Sequence, residues 1–287
     1  MSLNVEEVRL RLPHIELAAH LYGPEDGIPV IALHGWLDNA ASFARLAPLL
    51  PGLRIVALDL AGHGHSDHRP AGASYPIWEY IQDVLQVAEQ FGWQQFALLG
   101  HSMGAIISVL LAASMPERVT RLALIDGLIP FTGEADSAPQ KLGEALRAQM
   151  ALAGKRKPVY EVFERAVQAR LQGVGAVSLE AAELLARRGL MPVPGGYTWR
   201  TDSRLTLPSP LRLTHAHAMA FARNLQCPVK LVVAEQGMLL AQPNFMQLLD
   251  GLAVECQQLP GGHHLHLDDD NGATLVADCF KAFLAAA

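Results

Sequence analysis

Gly100-His101-Ser102-Met103-Gly104 is the stretch of this chain whose residue types and spacing suit covalent chemistry. The apolar run Phe96-Ala97-Leu98-Leu99 precedes it and Ala105-Ile106-Ile107 follows, which reads as a buried strand turning sharply into a helix. A serine at such a turn takes strained backbone angles, and side chains two positions to either side would collide with it. Gly100 and Gly104 remove those side chains. Ser102 is therefore read as a nucleophile, with the amides that follow it, at the positive end of a helix, facing the group it attacks. A phosphate-binding turn is the competing chemistry, but neither G-x-x-x-x-G-K-[ST] nor G-x-G-x-x-G is present here.

The elements around this turn must place it. Val5, Val8, Leu10 and Leu12 alternate with charged residues, and 15–22 follows Pro13, so the chain is expected to open with an antiparallel pair of strands. Continuous apolar runs at 29–33, 53–60, 96–99, 119–125, 229–235 and 254–259 are expected as strands, several of them buried on both faces. Helical spacing appears between them, at 39–50, 75–91 and 103–114, near 215–225, and from 273 to the end. Asp270-Asn271 is placed to cap that last helix. Between 130 and 210 the buried strands vanish and amphipathic helical patterns at 141–152, 159–171 and 179–188 take over. The expected architecture is α/β, a mostly parallel eight-stranded sheet with helices on both faces, its core formed by 1–129 and 211–287 and interrupted by a helical cap at 130–210. Active groups then belong on loops at the carboxyl ends of the strands.

Composition narrows the partners. A chain of 287 residues, 51% hydrophobic, can bury a large core. Its net charge of −6 is interspersed, so nucleic acid and anionic membranes are not indicated and a small-molecule substrate is expected. Cys227, Cys256 and Cys279 are odd in number and widely separated, which suits reduced thiols and a reducing compartment. Residues 1–12 mix Glu6, Glu7, Arg9 and Arg11 with apolar positions, unlike a signal peptide. No run reaches the ~18 apolar residues of a membrane span. A cytoplasmic monomer or homodimer without membrane insertion is expected.

Taken together, two leading strands, His34-Gly35-Trp36-Leu37-Asp38 after the third, Asp59 to Ser66 after the fourth, the Ser102 turn, a helical insertion and a late Gly262-His263 resemble the α/β-hydrolase superfamily over nearly the whole chain. His34 to Asn39, Tyr197 to Asp202 and Gly262-His263-His264-Leu265-His266 are similar to its serine-hydrolase-like group. The resemblance implies Ser102 as nucleophile and the Trp36 and Met103 amides as oxyanion donors, with both side chains lining the substrate pocket. It implies His263 as the base, with His264 one residue away as the alternative. It also implies an orienting acid, which most members carry in Gly-Glu-x-Asp after the strand at 229–234. Here Ala234-Glu235-Gln236-Gly237 stands in that place and Gly237 replaces the aspartate. Asp126, which ends the preceding strand, is the position some relatives use; Glu235 is the alternative.

The resemblance implies no cofactor and a metal-free esterase-like hydrolase working through an acyl-enzyme. C–C bond or lactone hydrolysis, cofactor-free peroxidation and ligand binding without turnover are known on the same fold. A metal site from His263, His264, His266 and Asp268 to Asp270 is the competing reading of the late cluster, but no second ligand pair completes it. His101 and His34 are expected to order loops, Asp59, His63 and Ser66 to shape one, and Asp38 and Asn39 to cap a helix at the pocket rim.

Overall fold

A computed structural model describes residues 5–152 and 156–286; the ends of the readings at 1–12 and 273–287 lie outside the described residues. The strands are β1 (Glu6–Arg11), β2 (Glu16–Tyr22), β3 (Ile28–Leu33), β4 (Leu53–Leu58), β5 (Phe96–His101), β6 (Val119–Ile125), β7 (Leu190–Val193), β8 (Gly196–Trp199), β9 (Val229–Gln236) and β10 (Val254–Gly262). The helices are α1 (Glu79–Gln90), α2 (Met103–Ser114), α3 (Ala138–Leu152), α4 (Phe163–Leu171), α5 (Leu179–Gly189), α6 (His215–Arg223), α7 (Phe245–Leu249), α8 (Leu265–Asp268) and α9 (Asp270–Ala285).

Eight strands form one sheet in the order β1-β2-β4-β3-β5-β6-β9-β10, and β7-β8 make a separate hairpin. β2 runs antiparallel to both neighbours, while every other adjacent pair is parallel. This is an α/β-hydrolase architecture. Alternate residues of the central strands enter different cores, as a two-faced sheet demands. Ile31 and Leu33 pack with Tyr80, Val84 and Ile107 of α1 and α2. Val30 and Ala32 pack with Phe43, Val276 and Phe280 on the other face.

Register fixes where the site forms. Leu33 pairs with Gly100, His101 with Ile125, and Ile125 with Val232. The carboxyl ends of β3, β5, β6 and β9 therefore lie level, and their loops share one edge of the sheet.

Local structure departs from the periodicity in several places. Residues 39–50 form two short 3-10 turns, Ala40–Phe43 and Ala47–Leu49, in place of a helix. Asn39 caps the first by accepting from the Ala41 amide, while the Ala40 amide goes to Asp59 Oδ1 at 2.7 Å and Pro48 is the middle residue of the second. α9 is capped by Asp269, not by Asp270 or Asn271: its side chain accepts from the Gly272 amide at 2.7 Å.

Between β6 and α6 lie α3, α4, α5 and the β7-β8 hairpin. The hairpin turns at Gly195 and Gly196, at φ 92° and 138°. Ala166, Val167, Ala182, Ala186 and Leu190 form a small core of their own there. Arg188 of α5 ties this segment to the sheet, its Nε donating to both Asp59 oxygens at 3.0 and 2.9 Å.

Candidate active site

Ser102 sits between β5 and α2 at φ 50° and ψ −115°, a region few residues with a side chain occupy. The flanking glycines are required by contact. A Cβ on Gly100 would lie 2.5 Å from Ala105 Cα, and one on Gly104 would lie 1.9 Å from the Leu33 carbonyl oxygen. The turn is thus pressed between the start of its own helix and the end of β3. Its amide donates to the Ile125 carbonyl at 2.9 Å, which ties it to the end of β6. Met103 is the first residue of α2, so its N–H has no acceptor within the helix.

The residue after β6 is Asp126, also at positive φ, 42°. Its amide donates to the Val232 carbonyl at 2.8 Å. The carboxylate is 2% exposed and meets His263: Nδ1 donates to Oδ2 at 2.5 Å. The amides of Met238 and Ala234 donate to the same group at 2.7 and 3.4 Å. Gly237 explains how an acid from β6 fits there. A Cβ at that position would stand 2.5 and 2.6 Å from the two Asp126 oxygens, so the side chain missing from the end of β9 leaves the volume that Asp126 fills. Glu235 is exposed near the end of β9.

His263 follows β10, and its carbonyl accepts from His101 Nε2 at 2.9 Å. His101 is fully buried, its ring 4.7 Å from that of His263. Burial and the neighbouring histidines hold its proton affinity well below the usual range, so it is neutral. His264 turns away from Asp126. Its Nδ1 donates to the Ala176 carbonyl at 3.1 Å, and its Nε2 lies 3.0 Å from Asp38 Oδ2. Arg170 of α4 donates to Asp38 Oδ1 at 2.9 Å. Burial raises the Asp38 carboxyl, but His264, Arg170 and His101 outweigh it and hold the group well below the ordinary carboxylate range.

Asp38 is therefore no helix cap; Asn39 takes that part, and Asp38 anchors a buried cluster. Arg170 and Gly175 carry no sequence signal at all. Arg170 lies in the last turn of α4 and Gly175 beyond its end, against the histidine loop: a Cβ there would be 3.0 Å from His264 Cε1 and 3.3 Å from His263 Cδ2.

The remaining histidines order loops. His34 Nδ1 donates to the Gly35 carbonyl at 2.7 Å and Nε2 accepts from the Leu60 amide at 3.0 Å. His63 is fully buried and its pKa falls to about 3 through desolvation and the nearby His34. His266 contacts Ser42 Oγ at 3.1 Å and is likewise pushed down to about 3, by burial first and His264 second. Ser66 Oγ accepts from the Ala18 amide at 2.8 Å, and Asp59 accepts from the His65 amide at 2.7 Å. The late acidic residues disperse to separate partners: Asp268 accepts from the Ser178 amide at 2.7 Å, Asp269 caps α9, and Asp270 pairs with Arg45.

Trp36 follows the end of β3 and is 38% exposed. Its indole N–H donates to the Leu205 carbonyl at 2.9 Å, which tethers the ring across the edge of the sheet. Met103 is half-buried against the core. Cys227 and Cys256 are half-buried, Cys279 is buried, and all three are free; burial raises each thiol's pKa. Among the described residues no helix is long and apolar enough to cross a membrane.

An α/β-hydrolase-fold family model matches residues 28–165. A serine hydrolase-like protein of Danio rerio is 30% identical over 98% of this chain and 89% of its own length. Another, from Dictyostelium discoideum, is 33% identical over 93% of the chain and 79% of its own length. A crystal structure of a hypothetical protein from Pseudomonas aeruginosa PAO1 is 72% identical, covers 98% of this chain and 100% of that one, and superposes with a TM-score of 0.96. The thioesterase domain from the curacin biosynthetic pathway is 26% identical, covers 96% and 99%, and has a TM-score of 0.84. The chain belongs to the α/β-hydrolase fold family. Within it, the chain falls in the serine hydrolase-like group, and a hydrolase function goes with that membership.

Proposed function

We infer that this hydrolase cleaves an ester or thioester of a small, mainly apolar acid through an acyl-enzyme on Ser102. The observation that carries this reading is the 2.5 Å contact of His263 Nδ1 with buried Asp126, one residue from Gly127, whose Cβ would lie 2.4 Å from the Ser102 carbonyl oxygen. With Nδ1 donating to a carboxylate, the imidazole presents a lone pair at Nε2, the tautomer a general base needs. His263 takes the Ser102 proton as Oγ attacks the acyl carbon, and the negative oxygen of the tetrahedral intermediate falls to the Met103 and Trp36 amides. Proton return from His263 releases the alcohol or thiol, and water, activated by the same ring, frees the acid. Such amides are most useful where charge develops, and losing one costs roughly 10²–10³ in rate.

Residues 130–210 serve as the cap over this site, with Trp36 and Met103 at the acyl pocket. Turnover of p-nitrophenyl esters of rising chain length, and of an acyl thioester, by the wild type and Ser102→Ala tests the reading. Turnover that disappears in the variant supports it; equal turnover in both would overturn it.

A further inference from the structure

Asp38, His101 and His264 offer Oδ2, Nδ1 and Nε2, three atoms within 4.8 Å of one another, all on buried residues. Each ring has its other nitrogen on a backbone carbonyl, as metal-ligating histidines do, and a metal ion would displace the proton that His264 Nε2 shares with Asp38 Oδ2. His101 donates from Nε2 to the His263 carbonyl at 2.9 Å, and His264 donates from Nδ1 to the Ala176 carbonyl at 3.1 Å. His101 Nδ1 is fully buried, reaches no hydrogen-bond partner, and lies 3.8 Å from Asp38 Oδ2; His264 Nε2 lies 3.0 Å from that same oxygen. Tetrahedral ligands about 2.0–2.1 Å from Zn²⁺ stand roughly 3.3–3.4 Å apart, and the separations of the two ring nitrogens from Asp38 Oδ2, 3.8 and 3.0 Å, fall on either side of that spacing.

Gly35 lines the same spot. A Cβ there would fall 3.0 Å from His101 Nδ1 and 3.2 Å from Asp38 Oδ2, so this residue keeps the approach to both ligand atoms free of a side chain. Arg170 opposes a cation, since its Nη2 lies 3.4 Å from His264 Nε2, but that nitrogen donates to Asp38 Oδ1 at 2.9 Å and Nη1 donates to the Gly175 carbonyl at 3.1 Å. The carboxylate can thus keep Arg170 on one oxygen and offer the other.

We propose that Asp38 Oδ2, His101 Nδ1 and His264 Nε2 form a binding site for one borderline divalent transition metal, of the Zn²⁺, Co²⁺, Ni²⁺ and Cu²⁺ class. Two imidazoles and one carboxylate select these ions over Mg²⁺ and Ca²⁺. The site stands apart from the Asp126–His263 pair, yet it touches the residue before Ser102 and the residue after His263. Occupation fixes both rings flanking His263. The proposal needs no part of the acyl-enzyme reading.

The test uses the full chain without an affinity tag, titrated with Co²⁺ by visible absorption and with Zn²⁺ by calorimetry. One equivalent of Co²⁺ is expected to give the intense visible absorption of a four-coordinate ion. Asp38→Asn and His264→Gln should each weaken binding by at least the roughly 100-fold that outer-shell changes can reach. Arg170→Gln should instead tighten it by about tenfold, because a like charge leaves the site. That gain cannot come from misfolding, so it holds even if another variant is unstable. Absence of binding by the wild type, tetrahedral absorption that survives both ligand variants, or looser binding in Arg170→Gln would each overturn the proposal.

Discussion

Replacing Asp126 with asparagine changes a single atom of the site, and its cost follows from the contacts that atom makes. The Asp126 carboxylate accepts from the Met238 amide at 2.7 Å, from the Ala234 amide at 3.4 Å and from His263 Nδ1 at 2.5 Å. Met238 and His263 share Oδ2, while Ala234 reaches Oδ1. An asparagine that keeps its oxygen at Oδ2 holds the ring without the charge that balances the imidazolium; one that turns its NH₂ there makes the ring accept at Nδ1 and carry its proton on Nε2, where it cannot take one from Ser102. The corresponding substitution in the serine proteases lowers kcat about 10⁴-fold, or ~5.5 kcal/mol of transition-state stabilisation. We expect a fall of that order in Asp126→Asn, with KM little changed and the circular dichroism spectrum of the wild type. Glu235→Gln should retain activity within about twofold, because its side chain is exposed and stands outside these contacts.

The same geometry predicts a relocation. A Cβ at Gly237 would lie 2.7 Å from Asp126 Cγ, so Asp126→Gly with Gly237→Asp sets a carboxylate in nearly the same volume. It should recover at least about tenfold over Asp126→Gly alone, as a restored His–carboxylate contact would provide. Initial rates on a p-nitrophenyl ester, with active sites counted by burst amplitude, measure each variant. An Asp126→Asn enzyme within tenfold of wild type would refute the reasoning.

Other expectations concern stability. His63 and His266 are fully buried with pKa values near 3, against 6.5 for a free ring. Below pH 6.5 the unfolded chain binds protons at both and the native chain does not, so stability falls with acidification by up to about 2.7 kcal/mol per pH unit until pH approaches 3. Urea midpoints at pH 7.0 and 5.5 check this, and a midpoint unchanged or higher at pH 5.5 contradicts it. Arg188→Met leaves Asp59 buried without its guanidinium, and urea unfolding should show a loss of about 3–5 kcal/mol; a loss below about 1 kcal/mol would argue against a role for this clasp. Gly104→Ala drives a methyl to 1.9 Å from the Leu33 carbonyl, so the turn cannot close and soluble, folded protein should be lost. A normally melting Gly104→Ala protein would show the turn to be less tightly pressed than this.

The fold was legible because apolar runs and their punctuation carry it: the run at 229–235 became β9, Val229–Gln236, and the alternation in 5–12 became β1, Glu6–Arg11. Residues 39–50 were not, since the Ala40 amide goes to a distant partner, Asp59, that no periodicity reports. The hairpin β7-β8 was missed because its four-residue strands are too short to show alternation. At the site, Gly100-His101-Ser102-Met103-Gly104 announces itself locally, since the collisions that demand glycine arise within the turn and against the adjacent strand. The neighbourhood of Asp126 and Gly237 does not, because it depends on two strand ends standing level in a sheet. Asp38 and Arg170 are 132 positions apart, and only the packing of α4 over the histidine loop joins them.

The account rests on Ser102 as the attacking atom. Reacting the protein with a fluorophosphonate and mapping the adduct by peptide mass spectrometry tests that most directly. A single adduct on Ser102, absent from Ser102→Ala and strongly slowed in His263→Ala, is the predicted result. A protein that turns over esters yet carries no adduct on Ser102, or carries it on another residue, would contradict the account.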